Sequence, residues 1–201
     1  MTNGVNVTNR TVLITGANRG IGRALVNEAL KRGAKRVFAA SRVPLQIADE
    51  RVTTLTLDVT NASQIQHAVD QVGSLDVLIN NAGIAAYDDL SNPAVVEQHL
   101  AVNFLGPLKV TNAFVPLLKH SRGTVVNNLS LAALAALPMI PAYSISKAAA
   151  FNMTQSLRAL LAREGVSVHA VILGPIDTEI AAVSRYRRPH PSPRQPASSM
   201  D

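Results

Sequence analysis

The chain has 201 residues, 47% of them hydrophobic and 16% charged, which fits one domain with a buried core and excludes disorder throughout. It contains no cysteine, which excludes disulfides, thiolate metal sites and a cysteine nucleophile. Half of the net charge of +6 lies in residues 184–201, which hold four arginines and one aspartate. Since no basic stripe follows a helix and a single tyrosine, Tyr186, stands among these arginines instead of a series of aromatic residues that could stack on bases, we do not expect nucleic-acid binding.

The apolar segments of the chain do not have the pattern of a leader or a membrane span. Residues 1–10 contain no apolar run of the kind that a secretory leader needs. The most apolar stretch, residues 129–142, contains two prolines and is shorter than the roughly 20 residues that a membrane-spanning helix requires. We therefore expect a soluble, cytoplasmic protein that does not contact a membrane.

Short β-branched runs alternate with stretches of helical periodicity along the chain. The predicted strands are residues 11–15, 36–40, 52–57, 75–80, 123–129 and 166–173. The predicted helices are residues 21–32, 58–72, 93–118 and 143–163. Strands that are apolar on both faces and separated by helices predict an α/β fold, a doubly wound Rossmann-type parallel sheet with helices on both faces. The ligand crevice of such a sheet lies beyond the carboxyl ends of its strands.

The end of the chain departs from this alternation. Residues 184–201 hold four of the eleven prolines and show no apolar periodicity. This composition predicts a disordered basic tail that follows a Rossmann-type domain of residues 1–183.

A glycine-rich loop, TGANRGIG at residues 15–22, follows the first predicted strand and opens the first predicted helix. Glycines let the backbone turn tightly and approach a pyrophosphate, while the helix offers its free amides and the positive end of its dipole. The alternative is an ordinary strand-to-helix turn. The candidate cofactor residues of this loop are Gly16, Asn18, Arg19, Gly20, Ile21 and Gly22.

The residues after the second strand bear on the choice of nucleotide. NAD-binding sites usually place a carboxylate there to bind the ribose hydroxyls, but this chain has Ser41 and Arg42. Arg19 and Arg42 supply two guanidinium groups, and this position has no carboxylate. That combination suits a 2′-phosphate, which predicts NADP rather than NAD. Otherwise the two arginines are solvated surface charges.

Three hydroxyl and amine side chains are candidates for proton chemistry. Tyr143 and Lys147 are four residues apart at the start of a predicted helix, so they share one face. A neighbouring ammonium lowers the pKa of a phenol by stabilising the phenolate. Ser130, at the end of the fifth strand, is expected to face the same crevice. The alternative is a half-buried tyrosine beside a lysine with no role in chemistry.

These motifs together resemble the classical type of short-chain dehydrogenase/reductases. The resemblance runs in order from about residue 10 to residue 180 and includes NNAG at 80–83 and GPIDT at 174–178. It implies that Tyr143 is the general acid or base, that Ser130 binds the substrate oxygen, and that Lys147 binds the nicotinamide ribose. It also implies that Asn103 anchors a water of a proton relay.

The resemblance extends to further cofactor contacts and to assembly. It implies that Asp58 and Val59 meet the adenine, that Asn81, Ala82 and Gly83 line the ribose, and that Thr178 contacts the nicotinamide carboxamide. It further implies a homodimer that pairs through the two long helices.

The chain departs from the family pattern after residue 178. Family members continue with a helical segment over the substrate and a final strand, so we expect the last strand to be missing here. The leading hypothesis is an NADP-dependent carbonyl reductase or alcohol dehydrogenase acting on a small carbonyl or alcohol. The alternative is a catalytically idle NADP-binding sensor or interaction module. An epimerase or dehydratase with a second substrate domain does not fit the chain length.

Each of the other candidate residues has a purely structural interpretation as well as a functional one. The five histidines show no metal-ligand spacing, so we expect no metal site, and His169 is expected to be a core residue. Asp88 and Asp89 are expected to form a solvated turn rather than to touch the substrate. Residues 131–140 either line an apolar substrate wall or pack beneath it.

Overall fold

The structure is a computed structural model that describes residues 5–174. The strands are β1 (Thr11–Thr15), β2 (Arg36–Ser41), β3 (Val52–Thr56), β4 (Val77–Asn80), β5 (Thr124–Ser130) and β6 (Ser167–Leu173). The helices are α1 (Gly20–Lys31), α2 (Ala62–Val72), α3 (Pro93–Leu100), α4 (Gly106–Ser121) and α5 (Pro141–Ala162). The disordered tail predicted for residues 184–201 and the expected contact of Thr178 lie outside the described residues.

The six strands form one parallel sheet in the order β3-β2-β1-β4-β5-β6. The predicted doubly wound α/β fold is therefore confirmed. The order reverses between β1 and β4, where Ile14 lies opposite Ile79. At such a reversal the connections leave toward opposite faces of the sheet, which opens a crevice beyond the carboxyl ends of the two strands.

The core lies on both faces of the sheet because the central strands are buried on both sides. On β1, Val12 and Ile14 join the cluster that includes Val26 of α1. Leu13, which points the other way, joins the cluster that includes Phe114 of α4. Side chains alternate between the two faces of a strand, so an uninterrupted apolar run supplies both clusters.

The predicted single helix over residues 93–118 is two α-helices joined by one π-turn at Ala101–Leu105. The amide of Gly106 donates to the carbonyl of Ala101, five residues earlier. Pro107 has no amide hydrogen to continue the α-helical pattern, which explains the widened turn directly before it. The turn contains Asn103, one of the predicted site residues.

The run Pro93–Ser121 is the one helical segment among residues 5–174 with the length and composition of a membrane span. A core helix of a globular domain meets the same criteria. Val110, Phe114 and Leu118 of this run are fully buried against the sheet.

The prediction that His169 is a core residue is wrong. Val168 is buried beneath α5, but the next side chain along β6 points to the opposite face and is exposed. Among residues 5–174, β6 is the outermost strand of the sheet, and the sequence pattern alone did not identify which face of this strand is covered.

Candidate active site

The glycine loop forms a tight cradle between β1 and α1. Gly16 has a φ of +67°, a conformation that residues with a Cβ rarely adopt. A Cβ on Gly22 would lie 2.0 Å from the carbonyl oxygen of Gly16, so only glycine allows this approach. Helix α1 begins at Gly20 without a side-chain cap, which leaves its first amides to face the crevice. The cradle fits a pyrophosphate group.

The floor of this cradle is fastened to the loop that follows β4. The hydroxyl oxygen of Thr15 accepts hydrogen bonds from the backbone amides of Asn81 and Ala82, both at 3.0 Å. The side-chain amide of Asn81 donates to the carbonyl oxygens of Thr15, at 3.0 Å, and Gly16, at 3.3 Å. The NNAG segment thus holds the glycine loop from below.

The predicted cofactor residues that the structure describes all line one open cavity of about 790 Å³. They are Gly16, Asn18, Arg19, Gly20, Ile21, Gly22, Ser41, Arg42, Asp58, Val59, Asn81, Ala82, Gly83, Tyr143 and Lys147. Ser130 also lines this cavity, whereas Asn103 does not border it. The carboxyl ends of β1, β4 and β5 thus bring the two groups of predicted residues together.

Two charged side chains, Arg42 and Asp58, stand at the end of the cavity near β2. Hydrogen bonds from the hydroxyl and amide of Thr60 lower the pKa of the Asp58 carboxyl, and the charge of Arg42 lowers it further. The Ser41 hydroxyl donates to the carbonyl oxygen of Val43 at 2.6 Å. Its proton is therefore engaged within the protein, so Ser41 would meet a ligand as an acceptor.

Ser130, Tyr143 and Lys147 form a cluster at the end of β5 and the start of α5. The hydroxyl-bearing side chains of Ser130 and Tyr143 both line the cavity. The ammonium of Lys147 lies 5.6 Å from the centroid of the Tyr143 ring, over its face. Burial lowers the pKa of Lys147 to about 8, because the charged form loses its water.

The phenol of Tyr143 does not have the lowered pKa that the sequence predicted. Burial is the largest effect and raises its pKa, while the hydrogen bond with Ser130 opposes this shift. Lys147 faces the ring rather than the hydroxyl and is itself desolvated. Among the protein's own groups, the serine and not the lysine is what favours the phenolate.

Asn103 is buried behind the cluster, in the π-turn. Its side-chain amide donates to the carbonyl oxygen of Ile84 and the hydroxyl of Ser146, both at 2.9 Å. Its side-chain oxygen accepts from the amide of Ile84 at 2.8 Å. Asn103 therefore fixes the cavity wall at Ile84, and the relay water that the resemblance implies stays a prediction.

The sequence analysis did not identify the role of Asp88. Its carboxylate accepts hydrogen bonds from the backbone amide of Ala142, at 3.3 and 3.2 Å for the two oxygens, and so caps α5 one residue before Tyr143. The expected turn is present as well, because Asp88 accepts from the amide of Leu90 at 3.3 Å and Asp89 accepts from the amide of Ser91 at 3.0 Å. Asp88 and Ala142 are 54 residues apart in the sequence, so no local sequence pattern predicts their hydrogen bond.

Asn128 is a second residue that the sequence analysis missed. It directly follows Asn127, and two consecutive asparagines within a strand, where this residue type is depleted, are the one signal that could have identified it. Its side-chain amide donates to the side-chain oxygen of Asn81 at 2.8 Å. Its carbonyl oxygen accepts from the ammonium of Lys147 at 3.0 Å.

Both ends of the segment over residues 131–140, Leu131 and residues 137–140, line the cavity, whereas Ala132 is buried. Leu131 and Met139 are about half exposed, at 50% and 47%. Tyr87, from the loop after β4, adds an aromatic ring to the same wall. This side of the cavity is apolar and adjoins the Tyr143 hydroxyl.

A doubly wound sheet, a glycine cradle and a buried Ser–Tyr–Lys cluster in one cavity define the class of nucleotide-dependent oxidoreductases. Residues 10–188 match the family model described as short chain dehydrogenase. The chain belongs to the short-chain dehydrogenase family, and it is an NAD(P)-dependent oxidoreductase of small-molecule substrates.

Several known proteins are similar to this chain over most of its length. Short-chain dehydrogenase PC-15 of Penicillium crustosum is 39% identical over 196 residues, which covers 90% of this chain and 70% of that protein. Estradiol 17-beta-dehydrogenase 2 of Rattus norvegicus is 33% identical and matches 87% of this chain and 50% of its own length. A short chain dehydrogenase from Burkholderia cenocepacia J2315, solved in complex with NADP, superposes with a TM-score of 0.85 at 37% identity. That superposition covers 88% of this chain and 77% of the other.

Proposed function

We propose that the protein is an NADP-dependent carbonyl reductase or alcohol dehydrogenase whose substrate is a small apolar carbonyl compound or alcohol. The observation that carries this proposal is that Ser130, Tyr143 and Lys147 line the cavity that the glycine loop enters, with the Lys147 ammonium 5.6 Å from the centroid of the Tyr143 ring. A phenol and a second hydroxyl placed together can bind one carbonyl oxygen and give it a proton.

The residues of the cavity divide the work of such a reaction. NADPH, when bound, supplies the hydride that adds to the carbonyl carbon. Tyr143 gives its hydroxyl proton to the carbonyl oxygen, which yields the alcohol, and takes it back in the reverse direction. Because burial raises the pKa of Tyr143, the phenol holds its proton at neutral pH. Ser130 binds the same oxygen as negative charge develops on it.

The glycine cradle, Lys147 and Arg42 would hold the cofactor. The free amides at the start of α1 face the pyrophosphate, and the Lys147 ammonium binds the nicotinamide ribose hydroxyls. Arg42, with Arg19 in the glycine loop, binds the 2′-phosphate of NADP. The NADP complex of the similar Burkholderia cenocepacia dehydrogenase supports this choice.

The apolar wall supports a substrate with hydrocarbon character. Leu131, Leu137 and Met139 line the same cavity as Tyr143, and residues 131–140 contain no charged side chain. A carboxylate or ammonium on the substrate would lose its water against this wall without a partner. We expect apolar ketones to be reduced with a higher kcat/KM than keto acids of the same length.

The Tyr143→Phe variant tests the proposed function. We expect turnover of NADPH with a panel of ketones and aldehydes to fall at least about 100-fold, the usual contribution of a positioned acid. Titration with NADPH should give nearly the wild-type Kd, because the phenol hydroxyl is not a principal cofactor contact. NADPH binding without turnover, equal in the wild type and the variant, would instead favour the idle NADP-binding module.

A homodimer through α4 and α5 is part of the proposal. Ile145 and Leu160 are 43% and 71% exposed on the outer side of α5, and Leu105, just before α4, is 38% exposed. Ala148 is exposed on the same side, whereas Ala150 is buried against the sheet. Sedimentation should give twice the mass of one chain, and Ala148→Arg should reduce it to the monomer.

A further inference from the structure

Asn128 connects the middle of the cavity to the glycine loop through its side chain. Its amide nitrogen donates to the side-chain oxygen of Asn81 at 2.8 Å. The amide nitrogen of Asn81 in turn donates to the carbonyl oxygens of Thr15 and Gly16. Since the orientation of the Asn81 amide follows from these two carbonyls, its oxygen faces Asn128 and needs a donor.

The backbone of the same residue holds Lys147. The ammonium of Lys147 is buried and donates to the carbonyl oxygen of Asn128 at 3.0 Å. One residue of β5 therefore contacts the support of the phosphate-binding loop with its side chain and the lysine with its main chain. Loop and lysine would bind adjacent parts of the same dinucleotide, the pyrophosphate and the nicotinamide ribose, so their separation matters for its affinity.

The asparagine at position 128 is not explained by the needs of the strand. Its side-chain oxygen is buried and has no hydrogen-bond partner in the described part of the chain. On the neighbouring Asn127, by contrast, the oxygen accepts from Asn80 at 2.8 Å and the nitrogen donates to Thr154 at 2.9 Å. A valine or isoleucine at position 128 would suit a strand and would bury no unpaired oxygen. What the asparagine adds is the donor to Asn81.

We propose that Asn128 is a positioning residue for cofactor binding, which acts through Asn81 to fix the glycine loop relative to Lys147. This inference rests on the proposed function, in which the glycine loop and Lys147 hold one molecule of NADPH.

The test is a double-mutant cycle on NADPH affinity with Asn128→Val and Asn81→Ala. Loss of one hydrogen bond should raise the Kd for NADPH about 3- to 10-fold in Asn128→Val. The kcat at saturating NADPH should stay within about twofold, because the carbonyl oxygen that holds Lys147 is part of the backbone. If Asn128 acts through Asn81, the double variant should bind NADPH no more weakly than the Asn81→Ala variant.

Three results would overturn the proposal. A wild-type Kd in the Asn128→Val variant would show that the side chain does not support the loop, and additive effects in the cycle would show that it does not act through Asn81. Far-ultraviolet circular dichroism and thermal unfolding of the apoproteins check the fold, with Asn128→Ala as a second variant. Unfolding of both variants would identify Asn128 as a structural residue only.

The proposed function can fail separately from this inference. Titration with NADPH needs no turnover. If the protein binds NADPH but reduces no substrate, the double-mutant cycle still tests the role of Asn128. Wild-type protein that fails to bind NADPH would refute the cofactor assignment itself.

Discussion

The two ends of the cavity are built in different ways. At the phosphate end, one short segment, residues 15–22, forms the glycine cradle, and six of its eight residues line the cavity. At the reaction end, side chains from β5, α5 and the loop after β4 converge, and their mutual contacts join residues 19 to 54 positions apart. At the phosphate end, the shape of the site therefore depends on glycines that leave no room for an added side chain. At the reaction end, it depends on a network of hydrogen bonds between side chains, each of which can be replaced singly.

Gly22→Ala should have the largest effect, because it adds one methyl group to the backbone surface. The new Cβ would lie 2.0 Å from the carbonyl oxygen of Gly16, so the loop has to move. We expect a loss of about 1–3 kcal/mol in the free energy of unfolding and a Kd for NADPH that rises beyond the range of titration. Gly73→Ala is a comparison variant remote from the cavity, since a Cβ there meets nothing within 4 Å and alanine is disfavoured only by the positive φ of +63°, which Gly22 does not share. Equal NADPH affinity in Gly22→Ala and the wild type would refute the assignment of the loop.

Arg42→Asp tests the side-chain part of the phosphate end. Loss of a charge-assisted hydrogen bond of about 1.5–3 kcal/mol should weaken NADPH roughly 10- to 100-fold. The new carboxylate can accept from the ribose hydroxyls, so NADH should bind as well as before or better. The measurement is the ratio of kcat/KM for the two cofactors. An unchanged ratio would show that Arg42 does not contact the 2′-phosphate.

The pH dependence of NADPH affinity distinguishes the reaction end from the phosphate end. Lys147 has a pKa lowered to about 8, so its ammonium is present below that pH and is lost as the pH rises through it. If the ammonium holds the ribose, the Kd should rise about tenfold between pH 7 and pH 9. Titrations at a series of pH values check this, and Lys147→Ala should bind weakly with no step near pH 8. A step that persists in this variant would assign the titration to another group.

The same contrast explains how much could be predicted from the sequence. The apolar runs of β1 and β2, the glycine loop and the four-residue spacing of Tyr143 and Lys147 are local patterns, and each led to the observed element or position. The contacts of Asp88 and Asn128 join distant parts of the chain and had no local pattern. The exposure of His169 depends on which face of β6 is covered, and the direction of the Tyr143 pKa depends on burial rather than on the spacing to Lys147.

Asp88→Ala should have the smallest effect and shows how replaceable a contact at the reaction end is. The Asp88 carboxylate caps α5 at the amide of Ala142, next to Tyr143. Its loss should lower the free energy of unfolding by about 0.5–2 kcal/mol, the range for a helix cap. Asp88→Asn keeps an acceptor and should recover most of this loss.

The activity of the Asp88 variants would show whether the cap also positions the phenol. If the cap fixes only the end of the helix, kcat should change in proportion to the folded fraction. The Kd for NADPH should stay constant, because the hydrogen bond from Ala142 to Asp88 does not involve the glycine loop. A fall in kcat that Asp88→Asn reverses, in protein that is fully folded at the assay temperature, would instead show that the first turn of α5 shifts when the cap is lost. The reaction end would then be as sensitive to geometry as the phosphate end, and the contrast between the two would hold for stability but not for catalysis.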